Sequence, residues 1–124
     1  MHSPKEHLYA VYMMASKTGT IYTGMTNNLY VRVGQHKAEE IEGFSKRYHC
    51  TRLVYYERYD FVQIAEARET QLKGWSRSKK VALIESVNPR WRDLAENWGK
   101  ELLFKNQSMA DADVQASKRI KLAK

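Results

Sequence analysis

The stretch TGTIYTGMTNNLYVRVGQHK, residues 18–37, changes pattern halfway along. Its first part, TIYTGM (20–25), is short and rich in β-formers, and reads as a strand carrying Tyr22 and Gly24. Thr26, Asn27 and Asn28 follow. Each is a good helix N-cap, and together they predict a helix from Leu29 to about Glu40. Arg32 and His36 stand four residues apart on that helix and share one face. A tyrosine, an arginine and a histidine thus crowd around one strand-to-helix turn.

Upstream, LYAVYMMA (8–15) is apolar on both faces and predicts a strand buried on both sides. SKTG (16–19) supplies the turn, with Gly19 free to take a positive φ. A hairpin centred near Lys17 sets Tyr12 opposite Tyr22. Two phenol hydroxyls then sit side by side, which a purely apolar core does not need. Gly34 costs its helix about 1 kcal/mol relative to Ala, so close approach of another backbone is expected there.

Downstream, IEGFSKRYHC (41–50) reads as a loop and LVYYERY (53–59) as a third strand. Asp60 and Gln63 form a capping-box pattern that opens a helix from about Phe61 to Arg77. Its apolar stripe is Phe61, Ile64, Ala65, Leu72 and Trp75, with Arg68 inside it and Glu69 on its border. SRSKK (76–80) is a basic patch, VALIES (81–86) a short helix closed by Asn88-Pro89, and RWRDLAENW (90–98) an amphipathic piece. The order β-β-α-β-α-α predicts an α+β fold with a small three-stranded antiparallel sheet flanked by helices. The expected division is one domain over residues 1–100 and a C-terminal tail over 101–124, either a lone helix or loosely ordered.

The chain has 124 residues, a net charge of +7 and a pI near 9.5. This charge favours a polyanion as partner, nucleic acid before anionic membrane. Cys50 is the only cysteine, which excludes an internal disulfide and a cysteine-based zinc site. No run approaches the roughly 20 apolar residues of a membrane span. The first residues lack the apolar core of a signal peptide, so a cytoplasmic protein is expected.

Several segments together resemble the GIY-YIG nuclease family, in particular its small stand-alone bacterial members. AVY (10–12) stands where the family has GIY, and YTG (22–24) where it has YIG. LYVRVGQH (29–36) is similar to the helix carrying an arginine and a histidine. ARETQLKGW (67–75) is similar to the glutamate helix, and NPRWRDL (88–94) to the closing asparagine motif. GFSKRY (43–48) and LVYYE (53–57) match linking segments. Ala10 and Thr23 depart from the pattern beside the tyrosines without removing them.

The resemblance implies hydrolysis of a phosphodiester by an activated water, with one divalent cation, Mg²⁺ or Mn²⁺. On this chain it makes Glu69 the metal ligand and Tyr12 the general base or water holder. Tyr22 positions water or phosphate, Arg32 grips the scissile phosphate, and His36 donates a hydrogen bond or assists Tyr12. Asn88 organises the site. Each has a plainer alternative: Glu69 pairing with Lys73 at i+4, core tyrosines, a salt bridge from Arg32 to Glu39 or Glu40, a surface histidine, and Asn88 as a helix C-cap. Lys37, Lys46, Arg47, Arg77, Lys79 and Lys80 are interchangeable candidates for nucleic-acid phosphates. The expected substrate is DNA, with RNA also open. A non-catalytic nucleic-acid-binding module and a nuclease subunit that needs a protein partner are the competing readings.

Overall fold

Strand β1 (Tyr9–Ala15) is buried along its length from Ala10 onward. In the computed structural model, which describes residues 8–98, β1 lies in the middle of the sheet. β2 (Ile21–Thr26) and β3 (Arg52–Tyr59) flank it, both antiparallel, in the order β2-β1-β3. A central strand has neighbours on both edges and layers on both faces, which explains its unbroken apolar composition.

Side chains alternate across the sheet. Val11, Met13 and Ala15 point into a core shared with Val54, Ala65, Leu72 and Ile84. Ala65 and Leu72 belong to α3 (Val62–Lys73), and Ile84 to α4 (Arg77–Val87). Tyr12 points the other way and meets α1 (Leu29–Lys37) through His36. The sheet therefore lies between α1 on one side and α3 with α4 on the other.

The hairpin turn closes with a bond from the Ser16 amide to the Thr20 carbonyl, 2.9 Å, and Gly19 takes φ +96°. This five-residue turn is centred on Thr18, not Lys17. Tyr12 is consequently paired with Gly24, and Tyr22 with Met14. The two tyrosines are diagonal neighbours on one face rather than directly opposed, with ring centres 6.2 Å apart.

Helix α1 starts as expected, with the Asn28 side chain accepting the Val31 amide at 3.1 Å. It ends at Lys37, short of Glu40, because Ala38 caps it and Glu39 turns to φ +58°. Among the described residues no backbone approaches Gly34: a Cβ there would meet none of their atoms within 4 Å. The stretch expected as a loop contains a four-residue helix, α2 (Phe44–Arg47), entered through Gly43 at φ +121°. The element order is thus β-β-α-α-β-α-α.

The helix expected over 61–77 ends early, at Lys73, and the short helix expected over 81–86 begins early, at Arg77. Gly74 caps α3, and the Ser76 hydroxyl accepts the Lys79 amide to open α4, so SRSKK and VALIES belong to one helix. The Asp60–Gln63 capping box does not set the start of α3. Its N-cap is Phe61, with extended dihedrals and no side-chain cap bond. Phe61 and Ile64 face solvent, 62% and 51% exposed, which leaves Ala65, Leu72 and Trp75 as the packed stripe. Arg68 is offset in that stripe by Glu57. Its Nε and Nη2 each donate at 2.8 Å to the carboxylate, which also accepts the Tyr59 hydroxyl at 2.6 Å and the Tyr55 hydroxyl.

Residues 88–94 form a clamp on β3. A bulge between Met13 and Met14 leaves Val54 without a partner on β1. The Asn88 amide donates to the Val54 carbonyl at 3.0 Å, and Asn88 also holds both the Arg92 amide and the Arg92 carbonyl. Asp93 accepts the Leu53 amide, and the Leu94 amide donates to Leu53 at 2.7 Å. One unit of the chain closes at Leu94. The predicted tail, 101–124, lies outside the described residues.

Two substitutions test this packing. Thr23 is 5% exposed and its hydroxyl has no partner among the described residues. Thr23→Val removes an unpaired buried polar group and should stabilise by about 1 kcal/mol in urea unfolding; a loss of that size would show that the hydroxyl is satisfied. Glu57→Gln leaves Arg68 without its carboxylate and should cost about 2–4 kcal/mol; a change under about 0.5 kcal/mol would contradict the network.

Candidate active site

Three elements bring the site together. β1 presents Tyr12, β2 presents Tyr22, and α1 lays His36 across both rings. The ring centres of Tyr12 and Tyr22 lie 5.5 Å and 5.1 Å from that of His36. The Tyr12 hydroxyl is 2.7 Å from His36 Nε2, and the Ser45 hydroxyl is 2.9 Å from Nδ1. His36 is 2% exposed, so it is a buried bridge between sheet and α2 rather than a surface histidine.

Gly24 makes the arrangement possible. A Cβ there would stand 2.7 Å from the Tyr12 hydroxyl oxygen and 2.9 Å from the Tyr22 ring. No side chain fits without displacing a phenol.

Burial pushes His36 down to about 4, and the nearby Arg32 charge adds to the effect. The imidazole is therefore neutral at pH 7 and carries one proton. With that proton on Nδ1, it donates to Ser45 and Nε2 accepts from Tyr12. Burial also drives Tyr12 above the usual phenol range, reinforced by the Tyr22 hydroxyl beside it. Arg32 pulls it down and Glu69 pushes it up, so both charges act on the same phenol.

Arg32 is half-buried and makes no hydrogen bond or ion pair with its side chain among the described residues. A guanidinium held at a phenol cluster with no carboxylate partner is suited to an oxyanion. Glu69 does pair with Lys73, at 3.0 Å, but the lysine is 53% exposed. Such an i,i+4 pair is worth only about 0.3–0.5 kcal/mol, and is readily exchanged for a stronger ligand.

Among the described residues no three His, Cys, Asp or Glu side chains gather as a metal cage. A closed protein site of the structural-zinc kind is not built here. A single half-buried carboxylate, Glu69, whose charge acts on the same phenol as that of Arg32, does fit Mg²⁺ or Mn²⁺, hard cations that keep several waters and take one or two carboxylates with substrate phosphate.

The other expected residues divide. Asn88 caps α4 and spends its side chain on the Val54 and Arg92 backbones, with no bond to the phenol cluster. Lys37 is engaged by Asp93 and the Thr51 carbonyl. Lys46 pairs with Glu42 at 2.8 Å. Arg47 lies over the Tyr48 ring and Lys79 over Trp75. Arg77 donates to the Gly19 carbonyl, and with Lys80 it lines a shallow cleft that includes Phe44.

Two contributors were not singled out from the sequence, and a third, Gly24, was named there without a role. Ser45 orients His36, Phe44 stacks on Tyr22 with centroids 6.5 Å apart, and Gly24 admits the phenols. Ser45 and Phe44 lie in GFSKRY, whose only local signal was Gly43 ahead of an aromatic.

Comparison with known proteins identifies the family. Residues 8–82 match the model of the GIY-YIG catalytic domain. The chain is 36% identical over 74 residues to a UPF0213 protein of Natronomonas pharaonis, covering 60% of this chain and 87% of that one. It is 32% identical over 92 residues to a UPF0213 protein of Clostridium perfringens, covering 74% and 95%. The solution NMR structure of a UPF0213 protein from Bacillus halodurans is similar with a TM-score of 0.44 and 24% identity, covering 68% of this chain and 90% of that one. The match to the catalytic-domain model spans well over half the sequence and takes in the tyrosine strands, the arginine helix and Glu69: this chain belongs to the GIY-YIG family.

Proposed function

We propose that the protein is a metal-dependent endonuclease that hydrolyses DNA phosphodiester bonds, leaving a 3′-hydroxyl and a 5′-phosphate. The observation that carries this reading is the Tyr12 hydroxyl, 2.7 Å from a buried neutral histidine and under the opposed fields of Arg32 and Glu69.

Arg32 binds the non-bridging oxygens of the scissile phosphate through its fork. Tyr12 holds the attacking water and takes its proton as the oxygen approaches phosphorus, while His36 Nε2 receives the phenol proton. Ser45 accepts from Nδ1–H and steadies the imidazolium that results. Tyr22 closes the other side of the water position. A divalent cation bound at Glu69 would neutralise charge on the phosphate and leaving oxygen. It would also offset the carboxylate that raises Tyr12, which the phenol needs if it is to act near neutral pH. The net charge of +7 supports a polyanionic substrate. No described helix is long and apolar enough to cross a membrane.

The first test is nicking of supercoiled plasmid with Mg²⁺ or Mn²⁺. Glu69→Ala should abolish it, as should EDTA, while unfolding free energy changes by less than about 0.5 kcal/mol. Equal nicking by wild type and variant would overturn the assignment of Glu69. Tyr12→Phe should lower the rate by about 10²–10⁴-fold, the range of a proton-transfer group; an unchanged rate would remove Tyr12 from the chemistry.

The His36 environment has a separate consequence. Its pKa falls from 6.5 in the unfolded chain to about 4 in the folded one. Between those values the unfolded chain binds the proton and the folded one does not. Stability should therefore decline as pH drops from 6.5 to 4, by up to about 3 kcal/mol. His36→Gln should flatten this slope, measured as unfolding free energy against pH. An identical slope in the variant would show that His36 titrates normally.

A further inference from the structure

Beyond the phenol cluster, at the end of the sheet where the β1–β2 turn lies, a cleft of about 310 Å³ is lined by Lys17, Gly19, Arg52, Arg77, Arg90 and Trp91. Four of these are cations, and no carboxylate lines the cleft. Lys17 and Arg90 form no hydrogen bond or ion pair with their side chains among the described residues. Arg52 gives its two terminal nitrogens to carbonyls, Ser16 at 2.7 Å and Trp91 at 3.4 Å, and its Nε is buried with no partner. Arg77 likewise donates to a carbonyl, that of Gly19. Four positive charges are thus gathered with neutral acceptors only, and they repel one another unless an anion enters. The walls are set by the backbone, since Gly19 sits at φ +96° and Trp91 at φ +53°.

The cleft is also connected to the phenol cluster. Arg77 lines both this cleft and its neighbour, whose wall includes Thr20, Ile21, Phe44 and Lys80. Phe44 stacks on Tyr22. Gly19 lies three residues before Tyr22, at most about 10 Å along the chain, or up to about three steps of a B-form strand.

We propose that Lys17, Arg52, Arg77 and Arg90 form a second phosphate-binding site, which takes the backbone of the nucleic acid a few nucleotides from the bond that is cut. This rests on the nuclease reading for the position of that bond, but the binding itself is separable from cleavage. The shared chemistry is a phosphate group. Its source is a polynucleotide strand, and a free phosphate or mononucleotide is the competitor to be distinguished.

The test uses the full chain in EDTA, where no cleavage is expected, with a fluorescein-labelled DNA oligonucleotide and anisotropy over a range of salt. Lys17→Gln, Arg90→Gln and the double variant are compared with Arg58→Gln, an exposed strand residue outside the cleft. The double variant should weaken binding by about tenfold and reduce the slope of log K against log salt by about 1–2. Arg58→Gln should change affinity by less than about twofold. Inorganic phosphate and a mononucleotide at millimolar levels should compete weakly and alike for wild type. Unchanged affinity and slope in the double variant would overturn the proposal. So would loss of mononucleotide binding with DNA binding retained, since the site would then serve a small ligand. Failure of plasmid nicking with intact, cleft-dependent oligonucleotide binding would overturn the nuclease reading and leave this site standing.

Discussion

The hydrogen bond between the Tyr12 hydroxyl and His36 Nε2 joins the middle strand to the first helix inside the protein, and the rest of the site is arranged around it. A phenol and an imidazole in apolar surroundings are each costly to bury unless their polar atoms are matched. Here both histidine nitrogens are matched, one by Tyr12 and the other by Ser45. The pairing explains local features that otherwise look unrelated. Gly24 must lack a side chain so that the phenol can lie across β2. The short helix α2 exists where a loop was expected because it delivers Ser45 to the far side of the imidazole.

The same burial shapes the electrostatics. Desolvation favours the neutral form of both groups, raising Tyr12 and lowering His36. Left alone, this pair keeps its proton on the tyrosine. Arg32 pulls Tyr12 the other way, and Glu69 is a carboxylate whose present partner is an exposed lysine. A cation on Glu69 would weaken the charge that raises the phenol, and an anion on Arg32 would weaken the charge that lowers it.

Much of this was legible in the residues themselves. The two-sided burial of LYAVYMMA, the Asn28 cap and the shared face of Arg32 and His36 follow from composition and period. What escaped depends on geometry that periodicity does not carry. The turn centre moved by one residue because the hairpin closes through Ser16 and Thr20, and this turned a facing tyrosine pair into a diagonal one. The boundary between α3 and α4 was misplaced, the first helix being carried on to Arg77 and the second begun only at Val81, because basic and apolar residues run across Gly74 and only the Ser76 cap marks the new start. Asn88 was read both as a cap and as a site residue. Its amide answers a bulge at Val54, and a β-bulge leaves no signature in the strand that bears it. The individual partners of surface cations, such as Asp93 for Lys37, arise from contacts distant in sequence.

The central claim is that Glu69, Tyr12 and Arg32 serve one pocket that accepts a hard cation with a phosphate. Its most direct test is a crystal structure of the protein soaked in Mn²⁺, with anomalous scattering used to locate the ion. The account predicts an anomalous peak bonded to the Glu69 carboxylate at about 2.1 Å, on the side facing the Tyr12 hydroxyl, with Lys73 released. A Glu69 still paired to Lys73, with manganese bound elsewhere on the molecule, would contradict it.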